Sequence, residues 1–218
     1  MFSLMVRRAF LLLTLSTCWA QDSPRTKATA NYNNLYKNGI PFLGNAPNAF
    51  MARMIEGHKP GRALDIGMGQ GRNAIYLAEK GWQVTGIELA QEGIRATRAA
   101  ASRKGVKIDA VMADALGYDY GTAKWDLIVA TYIHGVMTRI AERLRLSLRP
   151  GGLLVIEGFL YRPEAPSPTT GTPFGFRKNE LLHSFEQLRI LHYEDTTDRA
   201  DWAPSRPRPI VRFAGRKE

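Results

Sequence analysis

Ten residues, Leu64 to Asn73, constrain this chain more than any others: Leu-Asp-Ile-Gly-Met-Gly-Gln-Gly-Arg-Asn. Glycine stands at Gly67, Gly69 and Gly71, after the short apolar run Ala63-Leu64-Asp65-Ile66 and before a helical pattern. Glycine takes left-handed backbone conformations at no steric cost and lets a ligand lie against bare main chain. A strand that ends in such a turn and opens a helix offers amide N–H groups and the positive end of a helix dipole to a polar ligand group. A dinucleotide-binding fingerprint would need glycine three places after Gly69, but Arg72 stands there and excludes it.

Strand-like and helix-like segments alternate from there on. The pattern predicts a helix over 73–80 with Ala74, Leu77 and Ala78 on one face, a strand over 82–87, and a helix over 91–104 stopped by Gly105. Further strands are expected at 109–112, 126–130 and 153–157, a helix at 136–148, and a helix at about 179–185 before late strands at 188–193 and 210–214. The continuous apolar run Asp126-Leu127-Ile128-Val129-Ala130 suits a strand covered on both faces. Repeated alternation of this kind implies a parallel sheet with helices on both sides, an α/β doubly wound fold. Upstream, residues 22–30 read as polar and loose. Residues 31–48 read as an irregular cap leading into a helix near 49–56.

Two acids follow the glycine loop. Glu88 ends the second strand, about twenty residues after the loop begins, where a carboxylate can accept two hydrogen bonds from a ribose diol. Asp114 follows the third strand, before Ala115-Leu116. With Asp65 two residues before the first glycine, these features resemble motif I and its sequels in class I S-adenosylmethionine (SAM)-dependent methyltransferases. The segments Pro47-Asn48-Ala49-Phe50, Gly71 to Ala78 and Gly81-Trp82-Gln83-Val84-Thr85-Gly86 are most similar to the small tellurite-resistance and thiopurine-type members. Glu88 departs from the usual Asp, and Met68 stands where relatives carry a small residue.

The resemblance implies a Rossmann-like sheet of seven strands, mainly parallel with the last antiparallel, and SAM as methyl donor. It implies that the cofactor meets Asp65, Gly67, Gly69, Gly71, Glu88, Leu89, Asp114, Ala115 and Thr131, with Asp114 at the adenine amino group. Tyr32 and Tyr36 would close over the methionine end or simply pack the cap. Arg72 would pair with the SAM carboxylate or be a surface charge at a helix start. Ligands in such sheets bind outside the carboxyl ends of the strands, which is where these motifs fall.

On the acceptor side, Thr131, Tyr132 and His134 follow the fourth strand. Tyr132 and His134 are the candidates for catalysis, with His134 a general base or else a residue that shapes the pocket or caps the next helix. The long stretch 159–177, rich in Pro, Gly and Thr and containing Phe174 and Phe176, reads as a lid or substrate wall. The acceptor is expected to be a small molecule. A SAM-binding domain without catalysis, a sensor or degenerate enzyme, is the alternative. Nucleic-acid amino-methyltransferases typically carry an Asp/Asn-Pro-Pro-aromatic motif after the fourth strand, and Ala130-Thr131-Tyr132-Ile133 does not match it.

The chain has 218 residues, 44% hydrophobic and 23% charged, a globular composition. The net charge of +10 is compatible with a basic surface or a nucleic-acid partner, with late arginines at 199, 206, 208, 212 and 216. Residues 1–20 have a basic start, a short apolar stretch and a small residue, Ala20, at the cut site, as in an export signal. Arg7-Arg8 gives it a twin-arginine look, and Cys18 a weak lipoprotein look. Three parts are therefore expected: the signal at 1–20, a cap at 21–48 and the methyltransferase domain at 49–218. Cleavage after Ala20 would remove the single cysteine, and the four histidines lack metal-ligand spacing, so no metal is expected.

Overall fold

The computed structural model describes residues 24–37, 44–164, 166, 174–201 and 203–218. The expected export signal, and within the expected lid residues 165 and 167–173, lie outside the described residues. Among the described residues, no helix is long and apolar enough to cross a membrane.

The strands are β1 (Arg62–Ile66), β2 (Gln83–Glu88), β3 (Ile108–Met112), β4 (Trp125–Thr131), β5 (Leu148–Phe159), β6 (Arg189–Ala200) and β7 (Ala203–Arg216). They form one sheet in the order β3-β2-β1-β4-β5-β7-β6. The first five pair in parallel, and β7 runs antiparallel to both β5 and β6. The order reverses between β1 and β4, so the carboxyl ends of these two strands flank the crevice where such sheets bind ligands.

Alternation along the central strands splits the core in two. Leu64, Ile66, Ile128, Ala130, Leu154 and Ile156 face one layer, with Met137, Ile140, Leu144, Leu181 and Phe185. Ala63, Leu127, Val129, Leu153 and Val155 face the other, with Phe50, Met51, Ala74, Leu77 and Ile94. Burial on both faces explains the apolar run in β4, and each fully buried Leu or Ile contributes roughly 1.5–3 kcal/mol.

The helices are α1 (Pro24–Lys37), α2 (Ala49–Met54), α3 (Arg72–Glu79), α4 (Gln91–Lys104), α5 (Ala141–Ser147) and α6 (Glu180–Ser184). Helix α4 has the bounds expected from sequence and buries Gly93, Ile94, Thr97 and Ala101 along one stripe. The helix expected over 136–148 is instead a 3-10 turn, Met137–Ile140, followed by α5, and the chain turns into β5 at Leu148.

Two larger differences concern the ends. The segment read as loose and then irregular holds α1, which packs on α4. Its sequence offers little apolar periodicity, so contacts fix it. Tyr36 is buried, and Asn33 Oδ1 accepts from Glu92 N at 2.9 Å. The late strands also run well beyond 188–193 and 210–214. Pro204, Pro207 and Pro209 argue against a strand read from sequence. In the fold Pro204 and Pro207 precede Ile210, where the register of β7 with β5 begins, and Pro209 meets the exit of β5 through its carbonyl, which accepts from Leu160 N at 3.0 Å, so none of the three has to donate.

Candidate functional site

The turn after β1 requires its glycines. Gly67, Gly69 and Gly71 have φ of +66°, +57° and +84°. A Cβ on Gly71 would sit 2.6 Å from Thr97 Cγ2, and one on Gly67 would overlap Ile133 Cδ1. Thr97 Oγ1 donates to Gly69 O at 3.1 Å, tying the turn to α4. Gly93 allows the same approach from the helix side, since a Cβ there would meet Gly69 O at 2.8 Å.

Glu88 is buried at the end of β2. Its Oε2 accepts from Gly69 N at 3.0 Å and its Oε1 from Ala90 N at 2.8 Å. Each carboxylate oxygen has a second lone pair, so both can still accept a hydroxyl. Burial raises its pKa against the pull of the Ala90, Gly69 and Leu89 amides. Leu89 beside it is exposed, and Met112 at the end of β3 is 60% exposed, an apolar rim at this end of the crevice. Asp114 Oδ1 accepts from Leu116 N at 2.9 Å, which fixes its carboxylate beyond β3, and Ala115 is partly buried beside it. Tyr36 comes down from α1 onto this corner. Its hydroxyl lies 3.1 Å from where a Cβ of Gly69 would be, and Tyr32 stacks on it at 5.9 Å. Burial, then Glu88 and Tyr32, raise its pKa and keep the phenol protonated.

Asp65 and Arg72 lie at opposite ends of the glycine turn. Asp65 is 1% exposed in β1. Burial pushes its carboxyl up to about 7, opposed by Arg72 and the Ala74 amide and reinforced by Glu88. Arg72 begins α3 and is not a surface charge, being 9% exposed. Its Nη1 donates to Asp201 Oδ1 at 3.0 Å and to Ala46 O at 3.3 Å. Among the described residues, Asp65 Oδ2 and Arg72 Nε and Nη2 are buried without a hydrogen-bond partner. Such groups are costly to leave unpaired, and in native proteins they call for a partner such as a ligand, an ion or an ordered water. A carboxylate and one edge of a guanidinium match the ammonium and carboxylate of a free amino-acid tail.

The residues expected on the acceptor side lie at the ends of β4 and β5. Asn73 Nδ2 donates to Thr131 Oγ1 at 3.0 Å, joining α3 to β4. Tyr132 is held at φ +61°, uncommon for a bulky residue, and strain of this kind concentrates at functional sites. Its hydroxyl donates to Glu157 Oε1 at 2.6 Å, and its ring lies 5.0 Å from that of Phe159. His134 sits among Phe159, Phe174 and Phe176. Its Nε2 accepts from Phe159 N at 2.9 Å, and burial lowers its pKa to about 4. The lone pair a base would need is therefore already engaged in the fold.

Residues that sequence reasoning passes over knit these parts together. Glu157, 2% exposed, accepts from Tyr132, from Asn48 Nδ2 at 2.6 Å and from Arg212 Nε at 2.7 Å. Arg212 also reaches Glu194 and Asp198, so this late arginine is committed within the fold. Nothing in the sequence spacing pairs positions 55 apart; the β5–β7 register sets Glu157 against Arg212. The segment 159–177 closes at its base, where Phe176 N donates to Phe159 O at 2.9 Å and Tyr161 N to Phe176 O at 2.8 Å. A concavity of about 530 Å³ lies at the opposite edge of the sheet, lined by Arg62, Trp82, Lys107 and Trp125 among others, away from the glycine turn. Among the described residues, no group of three or more His, Cys, Asp or Glu side chains could hold a metal ion.

Fold and turn together have the form of a known class, the class I SAM-dependent methyltransferase domain. Residues 63–152 match the family described as a methyltransferase domain. Within that class the chain is similar to the probable SAM-dependent methyltransferase TehB of Haemophilus influenzae, at 26% identity over 145 residues, 62% of this chain and 49% of that protein. The crystal structure of TehB from that organism matches with a TM-score of 0.64 at 21% identity, covering 77% of this chain and 61% of TehB. Hemagglutinin 1 of Eikenella corrodens is 26% identical over 160 residues, 69% of this chain and 51% of that protein. The Burkholderia thailandensis 1,6-didemethyltoxoflavin-N1-methyltransferase, solved with its substrate and S-adenosylhomocysteine (SAH), matches with a TM-score of 0.68 at 19% identity, over 90% of this chain and 91% of that one. The chain spans about half the length of the curated relatives TehB and hemagglutinin 1.

Proposed function

We propose that this chain transfers a methyl group from SAM to a small-molecule acceptor. The observation that carries the reading is the buried, unpartnered pair of Asp65 Oδ2 and Arg72 Nε/Nη2 at a glycine turn held in left-handed conformations. When bound there, SAM supplies a sulfonium-borne methyl group open to in-line displacement. Asp65 and Arg72 hold the amino-acid tail, Glu88 accepts from the ribose hydroxyls, and Asp114 with Leu89 and Ala115 borders the base. Tyr132, His134, Phe159 and Phe174 form an aromatic wall that keeps water from the methyl axis and strengthens the electrostatics of the site. Tyr132 is engaged as a donor and His134 as an acceptor within the wall, which suits an acceptor that arrives as an anion or a soft nucleophile. A small-molecule acceptor fits the named activity of the Burkholderia neighbour and the TehB likeness.

Calorimetry with SAH tests the cofactor site, and SAH release with small thiols, selenite and tellurite tests turnover. Folded protein that gives no heat with SAH sinks the site. Tight SAH binding with no product from a broad acceptor panel favours the sensor reading. The leader at 1–20 we assign to export. Fractionation that leaves the protein wholly in the cytoplasm counts against that assignment.

A further inference from the structure

We propose that Asp201, in the turn joining β6 to β7, is a positioning residue for the cofactor site. It grips Arg72 through one nitrogen and so presents the guanidinium's Nε–Nη2 edge to a ligand carboxylate. This rests on the SAM reading above and adds to it the C-terminal hairpin, which no glycine-loop motif includes.

A guanidinium binds a carboxylate best along a two-nitrogen edge, with two parallel N–H···O bonds. Arg72 has its Nη1 committed to Asp201 Oδ1 at 3.0 Å and to Ala46 O at 3.3 Å. The nitrogens left without a partner among the described residues, Nε and Nη2, form one such edge. The arginine side chain is 7% exposed, so that edge is also shielded from solvent. Asp201 is itself fixed. Its Oδ2 accepts from Ala49 N at 3.1 Å and from Asn48 Nδ2 at 3.3 Å, and its side chain is 19% exposed. Asn48 is anchored in turn, its N–H donating to Asn73 Oδ1 at 2.8 Å and its Nδ2 to Glu157 at 2.6 Å. The orientation of Arg72 is therefore set from the hairpin, 129 residues away in sequence. Without Asp201 the guanidinium can rotate about its long side chain and lose the two-point geometry.

The test compares SAH with 5′-methylthioadenosine, which shares the nucleoside but lacks the amino-acid tail. Wild type should prefer SAH. In Asp201→Ala the SAH dissociation constant should rise about tenfold, the scale of one charge-assisted contact, with that of 5′-methylthioadenosine unchanged within about twofold. Arg72→Ala should lose the SAH preference, and the double variant should match Arg72→Ala alone, because Asp201 acts through Arg72. Asp201→Asn, which keeps an acceptor oxygen for Nη1 but loses the charge, should weaken SAH by a smaller factor with 5′-methylthioadenosine again unchanged, and that tail-specific loss is the measured one if the alanine form is unfolded. Equal weakening of both ligands, or additive losses in the double variant, overturns the proposal. A wild type that binds both ligands equally overturns the proposal as well, and one that binds neither overturns the underlying SAM reading instead.

Discussion

Replacing Asp65 with asparagine should remove a pH-dependent load from the ligand-free fold. Asp65 is buried in β1, and its carboxyl is pushed up to about 7 in the folded chain, from an ordinary value of 3.8. A carboxyl whose folded-state pKa lies above its unfolded value stabilises the fold at acid pH, and that contribution is lost as pH rises through the folded pKa. Between pH 5 and pH 8.5 the loss is roughly 3 kcal/mol at about 1.4 kcal/mol per pKa unit. For a chain of this size that is roughly 6–12 °C in Tm. An asparagine side chain does not titrate, so the Tm of Asp65→Asn should fall less over that interval, by about that margin. The variant also leaves a buried amide N–H₂ where Oδ2 had no partner. That costs roughly 1–3 kcal/mol at every pH, and comparing slopes removes it. The assay is thermal melting by circular dichroism at both pH values, with SAH calorimetry on the same samples. Parallel Tm curves for the two proteins refute the reasoning. In the wild type, SAH should bind more tightly as pH rises through about 7, because ionised Asp65 attracts the ligand ammonium. Asp65→Asn should bind it weakly and without that trend.

Gly71→Ala should destabilise the chain by roughly 2–4 kcal/mol, combining the left-handed backbone penalty with the overlap against Thr97, as read by chemical denaturation. His134→Gln should leave any pH–rate profile above about pH 5 unchanged, since it can keep an acceptor for Phe159 N–H, whereas His134→Phe leaves that amide unpaired and should cost about 1–3 kcal/mol in a melt. Loss of a rate limb near neutrality in His134→Gln would restore the base role. Glu157→Ala should cost about 1–3 kcal/mol, because the Tyr132 hydroxyl, the Asn48 amide and Arg212 Nε each lose an acceptor while Arg212 keeps Glu194 and Asp198. A double-variant cycle with Arg212→Ala should show coupling between the two, and additive losses would count against it.

Local rules settle a good part of this protein from sequence. The spacing Gly67-Gly69-Gly71 after an apolar strand foretells the turn, because left-handed backbone is a property of single residues. The stripe in α4 and the run in β4 foretell their burial, because periodicity and side-chain direction are local. Helix α1 and the far ends of β6 and β7 are hidden for the opposite reason. Their residues are too polar or too rich in proline to declare a structure, and contacts with α4 and Arg212 hold them in place. The grip of Asp201 on Arg72, the placing of Glu157 between Tyr132 and Arg212, and the engaged lone pair of His134 depend on strand order and register. These join segments distant along the chain, and no local rule relates them. The order of residues is enough to propose where a nucleoside would lie. Which charges face it, and which are already spoken for, is settled in three dimensions, because a hydrogen bond depends on distance in space.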